Sequence, residues 1–167
     1  MYHFVVKRLL ILRHAKSSWA SATLPDWERP LSDRGITDAP RVGELLRQRS
    51  LIPDVIITSD AVRARTTAEA VAHAAGYTRK LVVEPSLYEA TPDDVIAVLN
   101  SLADDSAITV MIVGHNPGLE GVIVELSGEH QSMPTAALVH LAVPIDRWRD
   151  LDASINARVI DVWRPKD

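Results

Sequence analysis

No cysteine occurs among the 167 residues, which excludes a disulfide framework, a thiolate metal cluster and a cysteine nucleophile. An excess of one charge sign is missing too. With 22 acidic against 18 basic side chains the net charge is -4, a balance that draws neither nucleic acid nor an anionic membrane surface, so neither is an expected partner. A local basic pocket is compatible with it. Long apolar runs are also lacking: the stretch Leu9 to Leu12 is far too short to span a bilayer, and the small-residue cleavage site of a signal peptide does not follow it. The expected compartment is the reducing cytoplasm.

What is present is enough chain for a proper core, and residues 1–167 are expected to form a single domain. Short apolar runs alternate with segments of helical period, the pattern of an α/β protein. Strands are predicted over Arg8–Leu12, Asp54–Ile57, Leu81–Glu84 and Thr109–Val113, with helices over about Thr37–Arg49, Ala61–Ala75, Pro92–Leu102 and Leu119–Leu126. Thr91 is placed as an N-cap, with Pro92 at the first helical position. Two late runs, "AALVHLAV" and "ARVIDVW", read as strands able to pair antiparallel at a sheet edge, joined by a loop carrying Trp148. The expected architecture is a three-layer α/β sandwich with a mostly parallel central sheet flanked by helices. Glycine and polar residues between Leu126 and Pro134 mark a surface loop.

Arg13 and His14 follow the first predicted strand, and in open α/β sheets ligands collect beyond such carboxyl ends. His115, in "GHNPG" after the strand Thr109–Val113, lies at the same sheet edge, so two histidines from separate strands can converge. Arg63 and Arg65, in "TSDAVRARTTAEA", occupy the first turns of a helix, where basic side chains oppose the helix dipole. A bound anion offsets that cost, because helix N-termini and guanidinium forks both favour phosphate. These strand ends together offer imidazoles and guanidinium groups to one dianion. Arg63, nearer the cap, is the better ligand; Arg65 serves equally well as a solvated helix face. His3, His73, His130 and His140 read as surface or satisfied histidines, and Trp19 and Trp27 as loop packing.

The blocks "LILRHAKSSW", "RPLSDRGITDA", "PDVIITSDAVRARTTAEA", "LYEATPDD" and "VGHNPGLEGVIVEL" cover most of the chain from Leu10 to Leu126. In this order and at these intervals the chain resembles the histidine phosphatase superfamily, and within it the short SixA-type phosphohistidine phosphatases of phosphoglycerate mutase-like fold. The resemblance implies His14 as nucleophile, Arg13, Arg63 and His115 around the phosphoryl group, and Glu89 where relatives carry a candidate proton donor. Lys16 and Ser17 are further candidates for contact with the phosphate. Ala15 departs from the commoner Arg-His-Gly, a variation familiar in this subgroup. Ala20 stands where mutase-like relatives often have an asparagine touching phosphate, which argues against a mutase.

The implied chemistry suits these residue types. Neutral imidazole approaches a phosphorus ringed by anionic oxygens without first losing a proton, provided its far nitrogen is held, commonly by a backbone carbonyl. Arginine forks and a second imidazole, protonated when phosphate is bound, stabilise charge on the equatorial oxygens. The expected activity is therefore a metal-independent phosphatase, needing no cofactor, that passes through a phosphohistidine on His14. Between Glu89 and Gly114 no insertion is long enough to form a lid, and an open site admits a phosphorylated side chain on a protein. The resemblance points to phosphohistidine in a signalling protein as substrate and partner, with a small phosphoester such as a sugar phosphate as the alternative. A metallohydrolase would use the histidines as ligands, yet the helix-spaced pair of H-E-x-x-H is missing and arginines crowd the place of a cation. A non-catalytic phosphate-binding module would need the arginines and neither histidine.

Overall fold

Four consecutive branched residues make a strand buried on both faces, and that is what the first run becomes. In the computed structural model, which describes residues 6–166, β1 (Lys7–Arg13) carries Leu9, Leu10, Ile11 and Leu12 fully buried at the centre of a sheet. His3 lies outside the described residues. The sheet also contains β2 (Val55–Thr58), β3 (Val82–Val83), β4 (Thr109–Gly114), β5 (Leu138–Val143) and β6 (Arg158–Trp163), in the order β3-β2-β4-β1-β5-β6. Pairing is parallel from β3 to β1, and β5 runs antiparallel to β1, with β6 antiparallel to β5.

The two-residue period of a strand sorts the apolar side chains into two cores. Leu10, Leu12, Ile56, Met111 and Val113 face α1 (Asp33–Gln48) and α2 (Val62–Ala75). Leu9, Ile11, Ile57, Val110 and Ile112 face α3 (Pro92–Leu102) and α4 (Gly118–Ser127). The result is the expected three-layer α/β arrangement with an antiparallel edge. Trp148, in the loop between β5 and β6, is fully buried and donates its indole N–H to the Ala107 carbonyl at 2.8 Å.

Local chemistry accounts for the boundaries. Thr91 and Asp94 form a reciprocal capping box at the start of α3, with Pro92 in its first turn, as the sequence predicts. Helix α1, predicted from Thr37, begins a turn earlier at Asp33, because the Ser32 hydroxyl caps it by accepting the Gly35 N–H at 3.2 Å. Gly35, in the first turn of this helix, is there for space: a Cβ at this position would lie 2.2 Å from the Lys16 carbonyl oxygen. The third strand, predicted over Leu81–Glu84, shrinks to Val82–Val83: Glu84 still donates its N–H to the Thr58 carbonyl at 2.8 Å, but its carboxylate accepts the Ser86 N–H and caps the 3-10 turn that ends the strand.

Candidate active site

The carboxyl ends of β1, β2 and β4 deliver Arg13, Ser59 and His115 to one edge of the sheet. The first residue beyond β1 is His14, only 6% exposed, whose backbone N–H is held by the Gly114 carbonyl and whose carbonyl accepts from Ala136. Its imidazole Nδ1 lies 2.7 Å from the Ala15 carbonyl oxygen. A carbonyl only accepts, so Nδ1 carries the proton and Nε2 is left with its lone pair. The Ala15 methyl, where the commoner motif has glycine, packs with Ala39 and Ala136 in a small core of its own. The Ala15 N–H donates to the Thr67 hydroxyl, and that hydroxyl donates to the Arg63 carbonyl, which ties the segment of His14 to the first turn of α2.

His14 and His115 stand with ring centroids 5.2 Å apart. Around them a cavity of about 310 Å³ is lined by Arg13, Lys16, Ser17, Trp19, Arg29, Arg63, Asn116 and Thr135. It thus gathers Arg13, His14, Lys16, Ser17, Arg63 and His115 from the sequence reading. Arg63 is 8% exposed and Lys16 is exposed, a flexible charge at the rim rather than a fixed contact. Arg65 is left out, on the half-exposed side of α2 with its Nε 3.8 Å from Glu69. Ala20 is exposed in the loop after Trp19 and does not line the cavity.

Burial governs the electrostatics. It lowers His14 to about 4, with Arg63, Arg13 and Arg29 pushing in the same direction against the Ala15 carbonyl. Burial also lowers His115 to about 3, helped by His14 and Arg63. Both imidazoles are neutral at pH 7. His115 Nε2 is 2.8 Å from the Ser59 hydroxyl, while its Nδ1, like Nε of Arg13, is buried with no hydrogen-bond partner among the described residues. Such unpaired nitrogens cost roughly 1–3 kcal/mol each, a cost that an anionic ligand able to reorganise the site would offset.

Several site residues escaped the sequence reading. Arg29, buried, donates to Ser17 Oγ and to Asp26 Oδ1, and its guanidinium lies 3.2 Å over the centroid of the Trp19 ring. That contact corrects the assignment of Trp19 to loop packing: its indole is 76% exposed and walls the cavity, and Trp27 is exposed as well. A guanidinium stacks on an indole face without apolar burial, so the ring does not sink into a core. Asn116 and Arg13 both donate to the Met133 carbonyl, so the largely exposed loop 126–134, as predicted at the surface, also anchors two side chains that line the cavity. The one available signal was that Arg29 opens the block "RPLSDRGITDA", although no periodicity marks it.

A second cleft of about 610 Å³ adjoins the first across Arg63 and His115 and is lined by Asp26, Tyr88, Glu89, Pro92, Pro117 and Gly121 among others. Glu89 is exposed here, in the left-handed backbone region at φ 56°, a conformation that costs a non-glycine residue of order 1–3 kcal/mol and concentrates at functional sites. Tyr88 stands edge-on to His115 at 5.4 Å. Between Glu89 and Gly114 lie only α3 and β4 and the short segments that join them.

Paired histidines and clustered arginines at strand ends of a three-layer sheet define a phosphate-handling α/β protein. Residues 9–96 match the histidine phosphatase superfamily (branch 1), and the chain belongs to that family. It is 32% identical over 159 residues to an uncharacterised protein of Mycobacterium tuberculosis, covering 89% of this chain and 96% of that one. Its fold is similar to that of a putative phosphohistidine phosphatase SixA from Agrobacterium tumefaciens, with 28% identity, TM-score 0.81 and coverage of 95% and 98% of the two chains. A second putative SixA, from Nakamurella multipartitia, matches with 26% identity, TM-score 0.84 and 96% coverage of each chain.

Proposed function

We propose that the protein is a phosphatase that works through a covalent phosphohistidine on His14 and takes its phosphoryl group from phosphohistidine on a signalling protein. The observation that carries this reading is the hydrogen bond from His14 Nδ1 to the Ala15 carbonyl, which leaves a neutral, lone-pair-bearing Nε2 beside Arg13, Arg29 and Arg63. In the first step that lone pair attacks phosphorus, the bond to the leaving group breaks, and the leaving group departs with the bonding pair. The guanidinium groups and His115 stabilise the equatorial oxygens as charge spreads over them. Water then attacks the phosphorus, the P–N bond breaks, and orthophosphate leaves with Nε2 restored. The positive charge comes from arginine, so no metal is required for these steps.

Two observations support phosphohistidine as the donor. Full-length likeness to two putative SixA proteins is one. The other is the state of the acids near the nucleophile: Asp26, held mainly by Tyr88, has its carboxyl down at about 2, and Tyr88 is raised above the ordinary phenol range, so neither is a ready proton donor at neutral pH. A protonated phosphohistidine leaves as neutral imidazole, whose conjugate acid has a pKa of about 6.5, and needs little further donation. An alkoxide leaving group needs a positioned acid, and Glu89 on the cleft is the residue that would favour a small phosphoester instead.

The test is to expose purified protein to phosphohistidine proteins and to small phosphoesters, and to trap the phosphoenzyme. A label on His14 that is acid-labile, alkali-stable and absent from His14→Ala is expected. An alkali-labile label would assign an acyl phosphate instead, and faster turnover of alkyl phosphates than of phosphohistidine proteins would move the substrate to the small-molecule class.

A further inference from the structure

Asp26 lies in a short 3-10 turn, Asp26–Glu28, within an otherwise irregular loop, and the sequence offers no reason to notice it. In the structure its carboxylate joins Arg29 of the same loop to two distant segments, those of Arg63 and Tyr88. Oδ1 accepts from Arg29 Nη1 at 3.0 Å, and Oδ2 accepts from Arg63 Nη2 at 2.9 Å and from the Tyr88 hydroxyl at 2.6 Å. The Asp26 backbone carbonyl accepts a further bond from Arg63 Nη1 at 2.8 Å. The two arginines are buried, whereas the Asp26 side chain is 45% exposed. A guanidinium is a rigid fork on a flexible stem, and fixed acceptors on one side of the fork leave the remaining N–H directions aimed at a ligand.

Charge runs against a simple affinity role. An anion beside Arg63 and Arg29 repels an incoming phosphate dianion, so Asp26 weakens ground-state binding while it fixes geometry. Orientation of this kind counts most when the phosphoryl group has spread into its five-coordinate arrangement. Resting on the phosphoryl-transfer reading above, we propose that Asp26 is a positioning residue whose carboxylate yokes Arg29, Arg63 and Tyr88 into one frame, so that both guanidinium groups meet the transferring phosphoryl group prealigned.

Asp26→Asn keeps the size and removes the charge. The variant is expected to lose about tenfold in kcat and in affinity for vanadate, the scale of one charge-assisted hydrogen bond, while inorganic phosphate binds as tightly as before or more tightly. Equal losses for phosphate and vanadate, or a kcat within about twofold of the wild type, would overturn the proposal. A second readout needs no turnover. The Tyr88 phenol faces Asp26, Glu89, Arg63 and His115, and the Asp26 hydrogen bond is the largest cause of its raised titration. Followed by tyrosinate absorbance, the titration step missing in Tyr88→Phe should move to lower pH in Asp26→Asn; an unmoved step would sink the frame. Should no phosphatase substrate be found, the titration and the phosphate and vanadate affinities still decide the role of Asp26.

Discussion

His14 and His115 set the pH behaviour in opposite phases of the reaction. Neutral His14 is the nucleophilic form, and burial lowers its imidazole to about 4. Since kcat/KM follows the ionisation of free enzyme and free substrate, its acid limb, once corrected for the substrate's own titration, should stay flat through the ordinary histidine range and decline only below about pH 5. A limb centred near 6.5 would mean that the imidazole is not desolvated as the structure has it. A bound dianion favours the protonated form of His115, whose titration lies at about 3 in the free protein. Binding should therefore take up protons, and vanadate titrated calorimetrically in buffers of different ionisation enthalpy should report that uptake as a slope. A zero slope would leave His115 neutral in the complex. The two arginines of α2 separate equally clearly. Arg63→Ala should cost roughly 1.5–3 kcal/mol in transition-state binding, whereas Arg65→Ala, which removes a half-exposed pair with Glu69, should cost less than about 1 kcal/mol, as steady-state kinetics would show.

Helix α1 performs its part through two glycines at which a side chain has no room. In an exposed helix, glycine to alanine gains about 1 kcal/mol. At Gly43 a Cβ would lie 2.4 Å from the Val71 carbonyl and 2.7 Å from the Ala74 methyl, where α1 crosses α2. Gly43→Ala should therefore lower stability by about 1–3 kcal/mol in denaturant melts, the reverse of the propensity effect. Gly35 presses instead on Lys16, whose carbonyl also accepts from the Ser32 N–H and hydroxyl. The same change there displaces the backbone between His14 and Ser17, so Gly35→Ala should lower kcat by more than its effect on melting would explain. Equal shifts in both would confine α1 to a scaffold role.

Both cores share one sheet, and that predicts how the molecule unfolds. Leu46 is fully buried on the α1 and α2 side, and Leu99 on the α3 and α4 side. Each leucine cut back to alanine should cost about 2–5 kcal/mol and move the same single transition, because neither layer can keep its face of the sheet without the other. Separate transitions for the two variants would show independent layers. Added magnesium or chelator should leave the hydrolysis rate unchanged, since the reaction proposed here draws its positive charge from arginine.

Periodicity and local capping made the layers legible in advance. The run Leu9 to Leu12, the alanine-rich helix after Ile57 and the "TPDD" cap each follow from neighbours within a few residues, where side-chain spacing and backbone hydrogen bonds act directly. The motif blocks likewise named His14, Arg13, Arg63 and His115, because residues that follow strands of one parallel sheet arrive at the same edge. What no local pattern encodes is which loops then meet. Arg63 reaches Asp26 across 37 positions, and Tyr88 reaches it across 62. Arg29 and Trp19 stack in a loop without period, and the surface loop 126–134 anchors Arg13 and Asn116 through the Met133 carbonyl. The amino-acid sequence by itself determined the α/β layers, the sheet edge and the chemical character of the residues gathered there. Only the tertiary structure decided how the guanidinium groups are aimed, which imidazole nitrogen is free and how far burial lowers each histidine, since each of these depends on partners that packing brings together from distant parts of the chain.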